Sequence, residues 1–84
     1  MNEQGIRDVI FGTLRAIAPE VDPAALVPDQ PLRDQVDLDS MDWLNFLVGL
    51  HQALKVDIPE SDYRKLYTLD HLMAYLRDRL SPRA

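Results

Sequence analysis

From about Glu3 to Ala18 apolar residues recur at helical spacing: Ile6, Ile10, Thr13 or Leu14, and Ile17 align, Val9 widens the stripe, and Glu3, Arg7, Asp8 and Arg15 stand elsewhere. The pattern predicts an amphipathic first helix. Gly12 costs it about 1 kcal/mol of propensity relative to alanine, and Pro19 stops it because the residue before a proline avoids the α region. From Pro19 to Asp39 the periodicity is lost. Pro19, Pro23, Pro28 and Pro31 alternate there with Asp22, Asp29, Asp34 and Asp37, so no long helix can run through. A long ordered crossover is expected, with one short turn around Ala24 to Leu26 and with Leu26, Leu32, Val36 and Leu38 available to pin it to the core.

The stretch from Ser40 to about Leu54 is proline-free, helical in length and apolar around most of its circumference: Met41, Trp43, Leu44, Phe46, Leu47, Val48, Leu50, Ala53 and Leu54. Such a helix is either central to its domain or carries a second apolar surface for a partner. After Lys55-Val56-Asp57, the pair Ile58-Pro59 opens a short helix from about Glu60 to Leu66, with Tyr63 and Leu66 facing inward. Thr68 suits the N-cap of a last helix, whose stripe of Leu69, Leu72, Met73, Leu76 and Leu80 runs to a stop at Ser81-Pro82. The expected fold is all-α: a four-helix bundle with three longer helices, one short helix and a long first crossover. One domain spans residues 1–84, with its core at about 3–80.

Composition narrows the function. The 84 residues are 46% hydrophobic and 27% charged, as in folded soluble domains rather than disordered ones. Fourteen acidic against nine basic residues give a net charge of −5, which repels phosphate backbones and anionic lipid, so neither nucleic acid nor a membrane is an expected partner. The absence of cysteine excludes disulfides, thiolate metal sites and a cysteine nucleophile. No run reaches the roughly 20 apolar residues of a membrane span, and the polar N-terminus lacks a leader pattern. A cytoplasmic monomer is the expectation.

Catalytic residues are not evident. Ser40 and His51 lie eleven residues apart on one predicted helix. That is about 16 Å along the axis at about 1.5 Å per residue, far beyond the reach of a nucleophile and its base. His71 stands among polar positions on the last helix, and no pair of histidines one turn apart marks a metal site. Ser40 is more informative. A serine at a loop-to-helix junction is ordinarily an N-cap, but Asp39 directly before it caps equally well and Asp42 suits the helix dipole, so the Ser40 hydroxyl can be free. It would then be an exposed hydroxyl flanked by carboxylates, with no basic group in sequence reach to activate it: a target for modification by another protein.

The run Asp39-Ser40-Met41-Asp42, read with the apolar helix after it, resembles the Asp-Ser-Leu-Asp motif of acyl carrier proteins. Downstream, Val56-Asp57-Ile58-Pro59, an acidic turn, a short helix, Thr68 and the final amphipathic helix are similar to the same family, so the resemblance covers nearly the whole chain. It implies a carrier rather than an enzyme. Ser40 would be the attachment point of 4′-phosphopantetheine, supplied from coenzyme A by a separate phosphopantetheinyl transferase with Mg²⁺, and the arm's thiol would carry acyl or aminoacyl thioesters. Asp39 and Asp42 match acidic positions that meet basic patches on partner enzymes, and Met41, Leu44 and Val48 match apolar partner-facing positions, although Val48 can equally be core.

Departures from the family pattern point to a specialised role. Asn45, His51 and Gln52 stand where carriers of the fatty-acid type have glutamates, Trp43 where a small or polar residue is usual, and Leu38 where alanine or glycine is common. Residues 33–60 hold six acids and two bases, but residues 61–84 hold three acids and five bases. The expectation is a stand-alone carrier with a dedicated loading ligase or transferase and downstream acyl-transfer enzymes. Trp43 is its candidate partner-distinguishing residue unless the ring is tucked against the loop. Aspartates around the serine favour an acyl over a peptidyl carrier, whose motif resembles Gly-Gly-His-Ser. The rival reading is an unmodified helical interaction module in which Ser40 is only a cap.

Overall fold

Asn2 starts the first helix by accepting a hydrogen bond from the Gly5 amide at 2.8 Å, and the computed structural model describes the chain from this residue to Leu80. Helix α1 spans Glu3–Ile17, α2 Leu32–Val36, α3 Ser40–Leu54 and α4 Leu69–Leu80, with 3₁₀ turns at Pro23–Ala25 and Glu60–Lys65. The three long helices are the three anticipated from periodicity, and the short one, Glu60–Lys65, is 3₁₀ rather than α. No strand occurs among the described residues. The expected stop at Ser81-Pro82 lies outside them.

Helix α1 packs against both α3 and α4. Ile6, Ile10 and Leu14 meet Phe46, Leu47, Leu50, Leu72 and Leu76 in a core where each is almost completely buried. Among the described residues no buried side-chain nitrogen or oxygen lacks a hydrogen-bond partner, which an all-apolar core of this size makes easy to satisfy.

Close approach of α1 and α3 depends on a glycine. A Cβ at Gly49 would lie 2.7 Å from Thr13 Cγ2. Thr13 is branched at Cβ, and its hydroxyl donates to the Val9 carbonyl at 2.8 Å, so it cannot swing away freely. At Gly12 a Cβ would meet nothing within 4 Å. Opposite outcomes follow for the same substitution. Gly12→Ala should stabilise by about 1 kcal/mol through helix propensity. Gly49→Ala should lose that gain and more, because overpacking typically costs about 1–3 kcal/mol. Urea midpoints decide it: equal stabilisation by both would show that the helices can separate freely.

The crossover is ordered, with a helix where the sequence suggested only loop. Proline at Pro31 opens α2, and Asp37 closes it in the left-handed region at φ 58°. Leu32 and Leu38 are buried and Leu26 and Val36 pack against the core, as their placement suggested. The side-chain amide of Gln35 replaces missing backbone partners: its Nε2 donates to the Val27 and Gln30 carbonyls at 2.9 and 3.0 Å, and its Oε1 accepts from the Val27 amide at 2.7 Å. The Leu32 amide donates to the Tyr67 carbonyl at 2.8 Å and the Asp70 amide to the Pro28 carbonyl at 3.0 Å, fastening the crossover to the start of α4.

Candidate functional site

Where the crossover enters α3, the Asp39 carboxylate accepts the Asp42 amide at 2.8 Å and is the N-cap. Ser40 is therefore the first residue of the helix, exposed, with its hydroxyl left out of the capping. One cation approaches it. Arg33 Nη2 lies 3.4 Å from Ser40 Oγ, a long hydrogen bond, while Arg33 Nε is 3.4 Å from the Leu38 carbonyl. The sequence carries no sign of this neighbour, because α2 turns the chain so that a residue seven positions earlier folds back over the serine. A guanidinium stays protonated, so Arg33 supplies charge and donors and is no general base.

Beyond Ser40, Met41, Leu44 and Val48 lie on one face of α3 and are 65%, 37% and 39% exposed. Val48, which the sequence left open, is therefore on the surface. The helix's apolar surplus divides between this stripe and the core residues Trp43, Phe46, Leu47, Leu50 and Leu54. Asp39 is exposed and Asp42 half-buried beside the stripe.

Trp43 corrects the surface expectation. It is only 7% exposed and tilts against Phe46 with ring centroids 5.2 Å apart, so the ring is tucked in rather than offered as an exposed anchor. Its remaining edge lines a cleft of about 370 Å³ shared with Arg33, Tyr63, Arg64 and Tyr67. The histidines are engaged elsewhere: His51 Nδ1 is 2.6 Å from the Val56 carbonyl, past the end of α3, and His71 Nδ1 is 2.8 Å from the Thr68 hydroxyl. That hydroxyl also accepts the His71 amide at 3.0 Å and so caps α4. No cluster of metal-ligating residues occurs among the described residues. None of their helices is long and apolar enough to cross a membrane.

The wall of the cleft formed by Glu60–Lys65 is moored to α4. Tyr75 donates to the Asp62 carboxylate at 2.7 Å, with Arg79 at 3.4 Å and Lys65 at 3.6 Å from the same group. The Tyr75 bond, helped by the two cations against partial burial, holds the Asp62 carboxyl below its usual 3.8. Burial, then the bond to Asp62, pushes the Tyr75 phenol up to about 12. The depressed carboxyl stabilises the fold above its unfolded pKa and loses that contribution as pH falls through the folded one. The raised phenol stabilises it below its ordinary 10.0 and loses this as pH rises towards 12. Tyr75→Phe should be less stable than the parent at neutral pH, with the gap closing at both extremes; a gap independent of pH in denaturant titrations would contradict the linkage.

An exposed, uncapped serine at a helix start, beside a guanidinium and at the head of an apolar stripe, fits a covalently attached phosphate-linked arm. The family described as phosphopantetheine attachment site matches residues 12–76, which include Ser40, the stripe and the cleft. The chain belongs to this phosphopantetheine-binding family of acyl carriers, whose members carry covalently bound 4′-phosphopantetheine and are carriers rather than enzymes. It is similar to the acyl carrier protein of Thermosynechococcus vestitus, 25% identical over 61 residues that cover 73% of this chain and 75% of the relative. It is also similar to that of Campylobacter concisus, 26% identical over 73 residues that cover 87% of this chain and 88% of the relative. The family implies interaction with a phosphopantetheinyl transferase and with acyl-handling enzymes.

Proposed function

We propose that Ser40 is the residue that receives 4′-phosphopantetheine, and that the chain then carries acyl intermediates for a specialised set of enzymes. The observation that carries this reading is the division of labour at the start of α3: Asp39 caps the helix, so the exposed Ser40 hydroxyl is available. In the modification, Ser40 Oγ forms a bond to the β-phosphorus of coenzyme A and the adenosine bisphosphate half departs. The hydroxyl proton passes to a base of the transferase. When attached, the arm supplies a thiol that holds acyl groups as thioesters.

Met41, Leu44 and Val48 form the apolar strip on which partners dock, and Asp39 and Asp42 orient their approach electrostatically. Trp43 acts from beneath this surface, by packing. Asn45, His51 and Gln52 are exposed on α3 where a more acidic surface would attract enzymes with strongly basic docking patches. Side chains without a carboxylate there favour a dedicated ligase or transferase.

Intact mass tests the reading. The full chain, incubated with coenzyme A, Mg²⁺ and a broad-specificity phosphopantetheinyl transferase, should gain one phosphopantetheinyl group. No gain in the folded protein, with both that transferase and one of fatty-acid type, would move the assignment to an unmodified helical interaction module.

A further inference from the structure

Among the described residues Arg33 is the cation that hydrogen-bonds Ser40, and it forms no ion pair with a carboxylate. Its guanidinium is tied to the chain that leads into the serine: Nε is 3.4 Å from the Leu38 carbonyl, and the Leu38 amide donates back to the Arg33 carbonyl at 3.2 Å. The charge is therefore carried on the same short segment as the attachment point. Modification turns Ser40 Oγ into an ester oxygen of a phosphodiester, placing two oxygens that share a negative charge one bond further out. A planar guanidinium with several donors matches such a group better than any other side chain.

Beyond the guanidinium lies the cleft of about 370 Å³, walled by Trp43, Tyr63 and Tyr67 with Arg64 as a second cation. Since Arg33 both approaches Ser40 and lines this cleft, it links the attachment point to the cleft. We propose that Arg33 holds the phosphodiester of the Ser40-linked arm and directs the adjoining part of the arm into the Trp43–Tyr63–Tyr67 cleft. Arg33 is a positioning residue here. Its role rests on the assignment of Ser40 above.

The chain has one tryptophan, so its indole N–H gives a single amide-type resonance that reports on the cleft wall. Parent, Arg33→Gln and Arg33→Lys are converted to the modified form, and each is accepted only at full modification by intact mass. The indole proton–nitrogen resonance and the phosphorus resonance of the diester are then compared before and after modification. In the parent the indole signal should move on modification. In Arg33→Gln that movement should be lost and the phosphorus signal displaced, with Arg33→Lys retaining part of both effects. In the modified parent the indole movement should also shrink at about 1 M salt, where the screening length is about 3 Å. A modified parent with unmoved indole, or a modified Arg33→Gln with both signals as in the parent, would overturn the proposal while leaving Ser40 as the attachment point. A parent that gains no mass overturns the Ser40 assignment first and this proposal with it.

Discussion

Ser40→Ala should stay folded and remain at its unmodified mass under conditions that fully modify the parent. The two halves of this expectation have different physical origins. Modification is lost completely because the nucleophilic oxygen is gone, and Thr68, the hydroxyl at the start of α4, is buried and occupied in capping that helix. Stability is nearly unchanged, within about 0.5 kcal/mol as for surface substitutions generally, because the cap at this helix is Asp39. Asp39→Ala is the contrasting variant. Removing the carboxylate that accepts the Asp42 amide should cost about 0.5–2 kcal/mol while leaving the hydroxyl in place. Intact mass and urea denaturation of the two variants read both effects. A mass gain in Ser40→Ala would relocate the attachment point, and a stability loss larger than that of Asp39→Ala would make Ser40 a structural residue.

Phe46→Ala should be the most damaging single truncation on α3. Phe46 is completely buried between α1 and the rest of the core, and its ring supports Trp43 at 5.2 Å. Emptying such a site costs about 3–5 kcal/mol, the lost transfer energy plus the cavity left behind. Small domains have about 5–15 kcal/mol in total, so the variant should sit near the edge of unfolding. Because Trp43 forms one wall of the cleft, the damage should reach the proposed arm site even in molecules that stay folded. Val48→Ala, two residues further on the same helix but 39% exposed, should change stability by no more than about 0.5 kcal/mol. Denaturation midpoints for the pair test the division of α3 into an inner and an outer apolar face. A loss below about 1 kcal/mol for Phe46→Ala would mean that the core closes over the gap.

Much of the site was legible before any tertiary information. Asp39 followed by Ser40 at a loop-to-helix junction offers two capping residues for one cap, and the aspartate takes it. The surplus of apolar residues on α3 announced a second surface. Arg33 gave no such signal. An arginine in a proline-rich, acidic stretch reads as solvated surface, and only α2, a five-residue helix too short to declare itself by periodicity, brings it to Ser40. Gln35 was silent for the same reason, since its role lies in carbonyls and amides that the crossover leaves unpaired after folding.

The sequence by itself determined where α1 and α3 start and stop, where α4 starts, and that Asp39 and Ser40 compete for one cap at the start of α3. These depend on residues within about one helical turn, where propensity, proline geometry and capping act. The tertiary structure decided which side of α3 is inside. Helical spacing puts Trp43 and Met41 at different angles around the axis, but the packing of α1 decides which angle faces the core, and it buried the tryptophan and exposed Met41, Leu44 and Val48. The tertiary structure also placed Thr13 of α1 against Gly49, Asp62 against Tyr75 of α4 and, through α2, Arg33 beside Ser40. Those pairs are separated along the chain by more than one helical turn, so their contacts follow from the path of the folded backbone and not from local preference.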